Sequence, residues 1–386
     1  MIKTIKKHKV TKLFNDFFES EKAGGLILIF CTAVSLLLAN SVLGPKYQQL
    51  WAMPMLGHSL VHWINDGLMT IFFLLIGLEL EREVYQGELS NIKDALLPLF
   101  AALGGVLLPA GIYLLFNWGS IYQSGAGIPM ATDIAFALGI LSLLGNKVPL
   151  SLKLFLTALA VIDDLLAIVV IAIFYTHTIH WVYLCSAISV FCVLLALNRL
   201  KIRNLIPYIL GGLAMWYFML HSGVHATITG VLLAFAIPFG NGDTKSSSFV
   251  LQNFLHKPVA YLILPLFALA NTAIILKSDL STIFDQKYSL GIALGLIIGK
   301  PLGIFLFSFT VVSLGFCKLA SNLRWKHIAG IGFLGGIGFT MSIFITLLSF
   351  HDSLVINNAK FVILSASVVA GMLGYVGLYI GLKNKQ

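Results

Sequence analysis

Charge is what this chain has least of. Asp, Glu, Lys and Arg make up 11% of its 386 residues and apolar types 58%, so there is too little charge to coat a water-facing surface of ordinary size. A soluble globular domain is excluded, and a membrane protein is expected. Cysteine is scarce as well. Cys31, Cys185, Cys192 and Cys317 lie in or beside apolar segments without paired metal-ligand spacing, which argues against a zinc site or a disulfide framework and leaves four small core residues. The formal net charge of +9 brings no basic patch with it, because the Lys and Arg stand singly between apolar runs; nucleic acid is excluded as a partner. Long polar stretches are few too. The basic N-terminal arm and "GNGDTKSSSF", from Gly240 to Phe249, are the longest, and the second reads as a flexible loop.

What the chain has in abundance is apolar runs of roughly 20 residues, the length that crosses about 30 Å of hydrocarbon. About twelve recur, over 24 to 41, 59 to 80, 95 to 116, 121 to 144, 150 to 175, 179 to 198, 204 to 220, 223 to 239, 257 to 276, 288 to 313, 327 to 350 and 359 to 382. The first is too long for a signal-peptide core and ends without a small-residue cleavage site, so it is expected to remain as a span. Of the 25 Lys and Arg, only Lys46, Lys277, Lys287 and Lys360 fall on one side of this parse. Lys300 falls inside a span, and the rest fall on the other side, as the positive-inside rule requires of a cytoplasmic face. The expected organisation is a cytoplasmic arm over 1–23, a single transmembrane transporter domain over 24–382 and a cytoplasmic tail over 383–386, in a multi-pass protein of the inner (plasma) membrane. Phe14, Phe17 and Phe18 beside Lys7 and Lys12 suit an arm lying on the anionic leaflet, which makes membrane lipid the expected partner.

Against that background the ionisable residues inside spans stand out: Asp66, Asp133, Asp163, Asp164 and Lys300. Each costs about 2.5–3.5 kcal/mol on insertion scales, and such residues by default mark an ion or proton route. A structural ion pair is the plainer reading, but a pair needs one acid, and here several acids share one lysine. Asp163 and Asp164, within "AVIDDLLAIVV", point about 100° apart on a helix, so they serve different neighbours while both can reach a cavity at a helix crossing. Asp164 shares its face with the small-residue strip Thr157, Ala160 and Ala167, where another backbone can approach closely. Carboxylates crowded into a low-dielectric cleft can carry protons at cellular pH. Deprotonated, they offer hard oxygens to a small hard cation, and carbonyls or water can complete its shell. Sodium and protons would then compete for one site.

Two segments read as interrupted helices. "GAGIPMATDIAFALG", from Gly125 to Gly139, sets glycines and Pro129 before Thr132 and Asp133, where freed carbonyls can coordinate an ion. "GIGFLGGIGFTMSIF", from Gly330 to Phe344, repeats the glycine-dense texture late in the chain. Interrupted segments at corresponding positions of two halves point to a transporter's binding site, a generalisation drawn partly from the family named below. Between them "GLIIGKPLGIF" holds Lys300 at mid-span beside a kinking Pro301. Lys300 can neutralise either Asp163 or Asp133. A pair at about 4 Å and an effective dielectric near 20 is worth roughly 4 kcal/mol, comparable to the insertion cost.

These motifs, together with "WINDGL", "FFLLIGLELERE", "SGVHATITGV" and "YLILPLFALAN", occur in order over nearly the whole chain and resemble an NhaA-type Na⁺/H⁺ antiporter. The resemblance implies an all-α polytopic fold of twelve membrane helices, built from inverted-topology repeats, with two discontinuous helices crossing near the bilayer midplane. It also implies electrogenic exchange, more protons moving inward than Na⁺ outward, with Li⁺ accepted and no cofactor. Asp163 and Asp164 match the family's ion-binding and proton-carrying pair, with Asp164 as the foremost Na⁺ ligand. Thr132 and Asp133 match its fourth-helix site and Lys300 its tenth-helix charge partner. Glu79, Arg82 and Glu83 match part of a cytoplasmic pH-sensing cluster, and His225 matches a histidine tied to pH response. His256 is kept, whereas Gln252 and Asn253 stand where members often carry ionisable groups.

A homodimer is left open. Between the first two spans the family can form a β-hairpin contact, but Val42 to Ser59 is short and shows little strand alternation. No other protein partner is implied. His58, His62, His177 and His180 read as interfacial, and Asp66 as a capping or hydrogen-bonding group. Three other readings fit the sequence less well. An intramembrane aspartyl protease could use Asp133 and Asp163, yet the chain lacks the Tyr-Asp and Gly-x-Gly-Asp contexts of that class and would not need Lys300. A light-driven pump with a Schiff base on Lys300 needs about seven spans. An ion channel fits the composition but not a proton-competitive carboxylate site in broken helices. The expectation is therefore a pH-regulated secondary transporter and not an enzyme.

Overall fold

Proline and glycine, more than hydrophobicity, decide where the helices of this chain begin, widen and stop. The computed structural model describes residues 23–176, 178–240, 246–275 and 280–383. Most of the expected arm, part of the polar loop, His177 and the tail beyond Lys383 lie outside the described residues. Helix α1 is Ala23–Ala39, and α2, Gly44–Ala52, carries Pro45 in its first turn, where the missing N–H costs nothing. Then come α3 over Leu60–Gln86, α4 over Ile92–Asn117, a 3₁₀ stretch over Gln123–Met130 and α5 over Ile134–Ser142. They are followed by α6, Leu150–Phe174, α7, Trp181–Arg199, α8, Ile206–Ser222, and α9, Ile228–Ala236. The last group is α10, Ser247–Asn271, α11, Leu280–Phe284, α12, Lys287–Ser313, α13, Trp325–Gly335, α14, Phe339–Ser349, and α15, Ser353–Lys383.

Eight stretches of the described residues, seven helices (α3, α4, α6, α7, α10, α12 and α15) and the 3₁₀ stretch taken together with α5, are long and apolar enough to cross a membrane. The number rises to ten if two bent pairs, α1 with α2 (115°) and α13 with α14 (45°), are each taken as one span. That is fewer than the twelve spans expected. The run at 204–220 is α8, 17 residues long, and the run at 223–239 contains α9, which has only 9. Nine residues rise about 14 Å, less than half the hydrocarbon thickness. Both helices stop short of the apolar runs that contain them: Gly223, at φ 85, ends α8, and Ile237 before Pro238 is extended, as steric clash with a proline ring demands.

Outward-facing surfaces are apolar, as a bilayer requires. Only 11% of the α7 span is buried inside the protein. The four cysteines illustrate the difference from a soluble core: Cys317 is buried, Cys31 is intermediate, and Cys185 and Cys192 on α7 are exposed. The expectation of four core cysteines holds for one of them, because a small apolar side chain facing lipid has no need of burial.

The segment between α2 and α3 also departs from expectation. Pro54–Met55 (β1) pairs antiparallel with His58–Ser59 (β2) across Leu56 and Gly57, both at positive φ (51° and 88°). A two-residue turn of that kind closes a hairpin even where each strand is too short to show alternation.

Helices approach closely where side chains vanish. A Cβ on Gly104 of α4 would come within 2.7 Å of the Gly303 carbonyl carbon on α12, so this crossing exists only because both residues are glycine. Gly303→Val is expected to force α12 away from α4, since overpacking costs about 1–3 kcal/mol. Reduced yield of monodisperse protein in detergent and a lower melting temperature would show it. Two wide π turns lie just before prolines: Val259–Ile263 ahead of Pro265, and Gly295–Gly299 ahead of Pro301. A proline ring displaces the carbonyl four residues back and removes a donor, which a π turn accommodates.

Candidate functional site

Helix α6 delivers Asp163 and Asp164 to the interior, where they are 1% and 2% exposed. Their divergence gives them different company. Asp163 Oδ2 takes the Lys300 ammonium in an ion pair and lies 2.6 Å from the Thr132 hydroxyl. Asp164 instead lines a cleft bordered by Thr132, Asp133, Phe72, Glu79, Leu264 and Thr340, among others. Oδ1 of each aspartate is buried and accepts no hydrogen bond among the described residues. Lys300 could have served Asp163 or Asp133; the structure gives it to Asp163.

The two glycine-rich segments meet at their breaks. Residues 131–133 separate the 3₁₀ stretch from α5, and 336–338 separate α13 from α14. Backbone and side chains stitch the breaks together: Asp133 N–H donates to Ile337 O at 2.7 Å, and Ser342 Oγ donates to Ile128 O at 2.7 Å. The Thr132 hydroxyl also lies 2.8 Å from Gly335 O. With one proton, it donates to that carbonyl or to Asp163, but not to both at once.

Asp133 caps two helices. Its Oδ1 accepts from Phe136 N–H of α5 at 2.9 Å, and its Oδ2 accepts from Thr340 N–H and Thr340 Oγ1 of α14 at 3.1 and 2.6 Å. Two helix N-termini, each with positive partial charge, therefore converge on this carboxylate. At the opposite polarity, Met130 O ends the 3₁₀ stretch and accepts from the Lys300 ammonium. Thr340→Val removes one charge-assisted hydrogen bond and should cost about 1.5–3 kcal/mol, seen as a lower melting temperature. Thr340→Ser should restore it.

Charge balance singles out one residue. Asp133 is answered by helix ends and three hydrogen bonds, and Asp163 by Lys300. Asp164, equally buried, faces no cation at contact distance among the described residues. A buried lone carboxylate is too costly to persist, so it must hold a proton or a cation.

The residues that the resemblance links to pH response do not form one group. Glu79 lines the cleft, with Oε1 3.8 Å from His256 Nδ1, while Arg82 and Glu83 follow on α3 and are half-buried. His225 lies elsewhere. Its Nε2 is 2.9 Å from Tyr175 O, and it shares the electrostatic surroundings of Asp66 with His58 and His62, about 20 Å along α3 from Glu79 at 1.5 Å per residue. Asp66 itself pairs with His62 at 3.1 Å. Glu81 was missed by sequence reasoning although it is only 5% exposed and accepts from Ser248 Oγ at 3.1 Å. The available signal was its i+4 position from Gly77, which packs against Ala234 and Val231.

Residues 15–378 match the family model described as Na⁺/H⁺ antiporter 1. The chain is similar to the Na⁺/H⁺ antiporter NhaA of Flavobacterium psychrophilum, 70% identical over 376 residues that cover 97% of this chain and 98% of that one. It is 58% identical to the NhaA antiporter of Dechloromonas aromatica over 96% of both chains. With that of Vibrio campbellii the identity is 46%, over 97% of this chain and 96% of the other.

Proposed function

The chain belongs to the Na⁺/H⁺ antiporter 1 family, and from that premise we propose that it exchanges cytoplasmic Na⁺, or Li⁺, for a larger number of inward-moving protons at Asp163 and Asp164. It is a multi-pass membrane sodium/proton antiporter, a transporter and not an enzyme, with Na⁺ and H⁺ as its transported ions. The observation that carries the finer reading is Asp164: buried, facing the cleft, with an oxygen that no described residue satisfies.

In this reading Na⁺ enters past Glu79 and displaces the Asp164 proton. Thr132 and Asp133 border the same cleft and offer further oxygens. Asp163 has a second oxygen free to join them, and in joining it would leave Lys300, so that the Asp163–Lys300 pair supplies the second proton. The 3₁₀ stretch with α5 and α13 with α14 act as the paired discontinuous helices of two inverted repeats. With α8 and α9 embedded beside them, the chain makes twelve passes. The site then opens to the other side, where protons reload it.

The inner membrane, with both termini cytoplasmic, is the proposed setting. Glu79 in the cleft lining, His256 beside it, Arg82 and Glu83 further along α3, and His225 far from them are the proposed pH-responsive groups. A homodimer could use the exposed hairpin Pro54–Ser59.

The test is Na⁺-driven proton movement in proteoliposomes. Lowering the pH should raise the half-saturating Na⁺ concentration by between about tenfold and a hundredfold per unit, for one or two competing protons, while the rate at saturating Na⁺ changes little. With two protons exchanged per Na⁺, an interior-negative potential should add about 2.3 kcal/mol of drive per 100 mV. A half-saturation that ignores pH would rule out competition at one site.

A further inference from the structure

The seam that holds the cleft continues past it. Phe72 and Glu79 on α3 and Leu264 on α10 line the cleft. Asn65 lies seven residues before Phe72, and Asn271 seven residues after Leu264. Seven residues are two helical turns, about 10 Å. Between the cleft and these amides sit Met69 and Phe267, both fully buried. At the far end of this apolar plug the amides clasp each other: Asn271 Nδ2 donates to Asn65 Oδ1 at 2.7 Å, and Asn65 Nδ2 lies 3.5 Å from Asn271 Oδ1. A third residue joins them. Lys360 of α15 places its ammonium 3.4 Å from Asn271 Oδ1.

Lys360 is 8% exposed, and no carboxylate among the described residues reaches it. A lysine buried against a neutral amide is costly, and the ion pair of Asp163 with Lys300 makes no use of it. Its position suggests why it is there. The ammonium occupies a place beside an amide oxygen, a hard neutral ligand of the kind that solvates Na⁺ in transit. It is a tethered cation standing where a free one would pass.

We infer that Asn65, Asn271 and Lys360 form the gate at the end of the ion path opposite Glu79 and His256. The amide clasp closes α3 against α10, and the Lys360 ammonium keeps cations out while the clasp is shut. When the clasp parts and Lys360 withdraws, the Asn65 and Asn271 side-chain oxygens become ligands for the departing Na⁺. This rests on the reading of the Asp164 cleft as the ion path.

The experiment presents Na⁺ alone to one face or the other of oriented proteoliposomes. Lys360→Met keeps the length and removes the charge. The half-saturating Na⁺ concentration at the gate face should fall about tenfold, because opening no longer requires the ammonium to withdraw and the open state is populated about ten times more often, with the value at the cleft face, accessible while the gate is shut, unchanged. Equal shifts at both faces, or none, overturn the inference.

A second arm does not depend on that variant folding. Asn65→Cys with Asn271→Cys, in a background lacking Cys31, Cys185, Cys192 and Cys317, is joined by a short cleavable thiol cross-linker. Exchange should stop and should return on cleavage. Undiminished exchange in fully cross-linked protein overturns the gate. Asp164→Asn run alongside separates the two ideas: exchange surviving in that variant removes the cleft reading, whereas its loss together with unchanged Lys360→Met values removes the gate alone.

Discussion

Asp164→Asn should abolish Na⁺-dependent proton movement while leaving the protein folded. Asparagine keeps the shape of the side chain but carries neither a proton nor a charge. The lost attraction between Na⁺ and a carboxylate at about 4 Å is roughly 4 kcal/mol at an effective dielectric near 20, close to a thousandfold in affinity. Exchange would then need Na⁺ beyond any attainable concentration. Stability should hold, because Asp164 forms none of the hydrogen bonds that join the two broken segments; those run through Asp133, Thr132 and Ser342. The check is paired: transport in proteoliposomes, and thermal unfolding of the same preparation in detergent. Wild-type exchange in the variant would remove Asp164 from the site, and a melting temperature lowered by more than a few degrees would make it a structural residue.

Lys300→Ala should do the reverse, damaging the fold as well as transport. Lys300 is fully buried between Asp163 and the Met130 carbonyl. Removing one partner of a buried pair leaves an uncompensated charge and costs about 3–5 kcal/mol. Replacing both partners with neutral groups of similar volume is far less damaging. Thus Lys300→Met with Asp163→Asn should regain most of the melting temperature lost in either single variant, with no return of exchange. That non-additivity, measured as a double-mutant cycle, is the signature of a direct pair. If the single losses simply add, the two residues are not coupled in the folded protein.

The sequence disclosed the site more readily than its wiring. Asp133, Asp163, Asp164 and Lys300 were legible because an ionisable residue in an apolar run is conspicuous and expensive. Which carboxylate takes Lys300 was not, since that depends on the rotation of α6 against α12 across 137 residues of chain. The extent of two helices was not legible, because Gly223 ends α8 and Ile237 before Pro238 ends α9 within apolar runs that hydropathy reads as longer. Cys185 and Cys192 were misplaced because apolar character means burial in water but equally well means a lipid-facing surface in a bilayer. Lys360 reads from the sequence as a basic residue of the outer side, and Asn65 and Asn271 carry no site signal, because amides and a lysine near span ends resemble ordinary interfacial residues until the fold clasps them together.

Competition between Na⁺ and protons at Asp163 and Asp164 is most directly tested by counting protons as Na⁺ binds. Calorimetric titration of the purified antiporter with NaCl, repeated in buffers of different ionisation enthalpy, gives the protons released per ion bound. About two per Na⁺ in the wild type, and no detectable Na⁺ binding in Asp164→Asn, is the expected result for an inward electrical cycle. Saturable Na⁺ binding that releases no protons would contradict it.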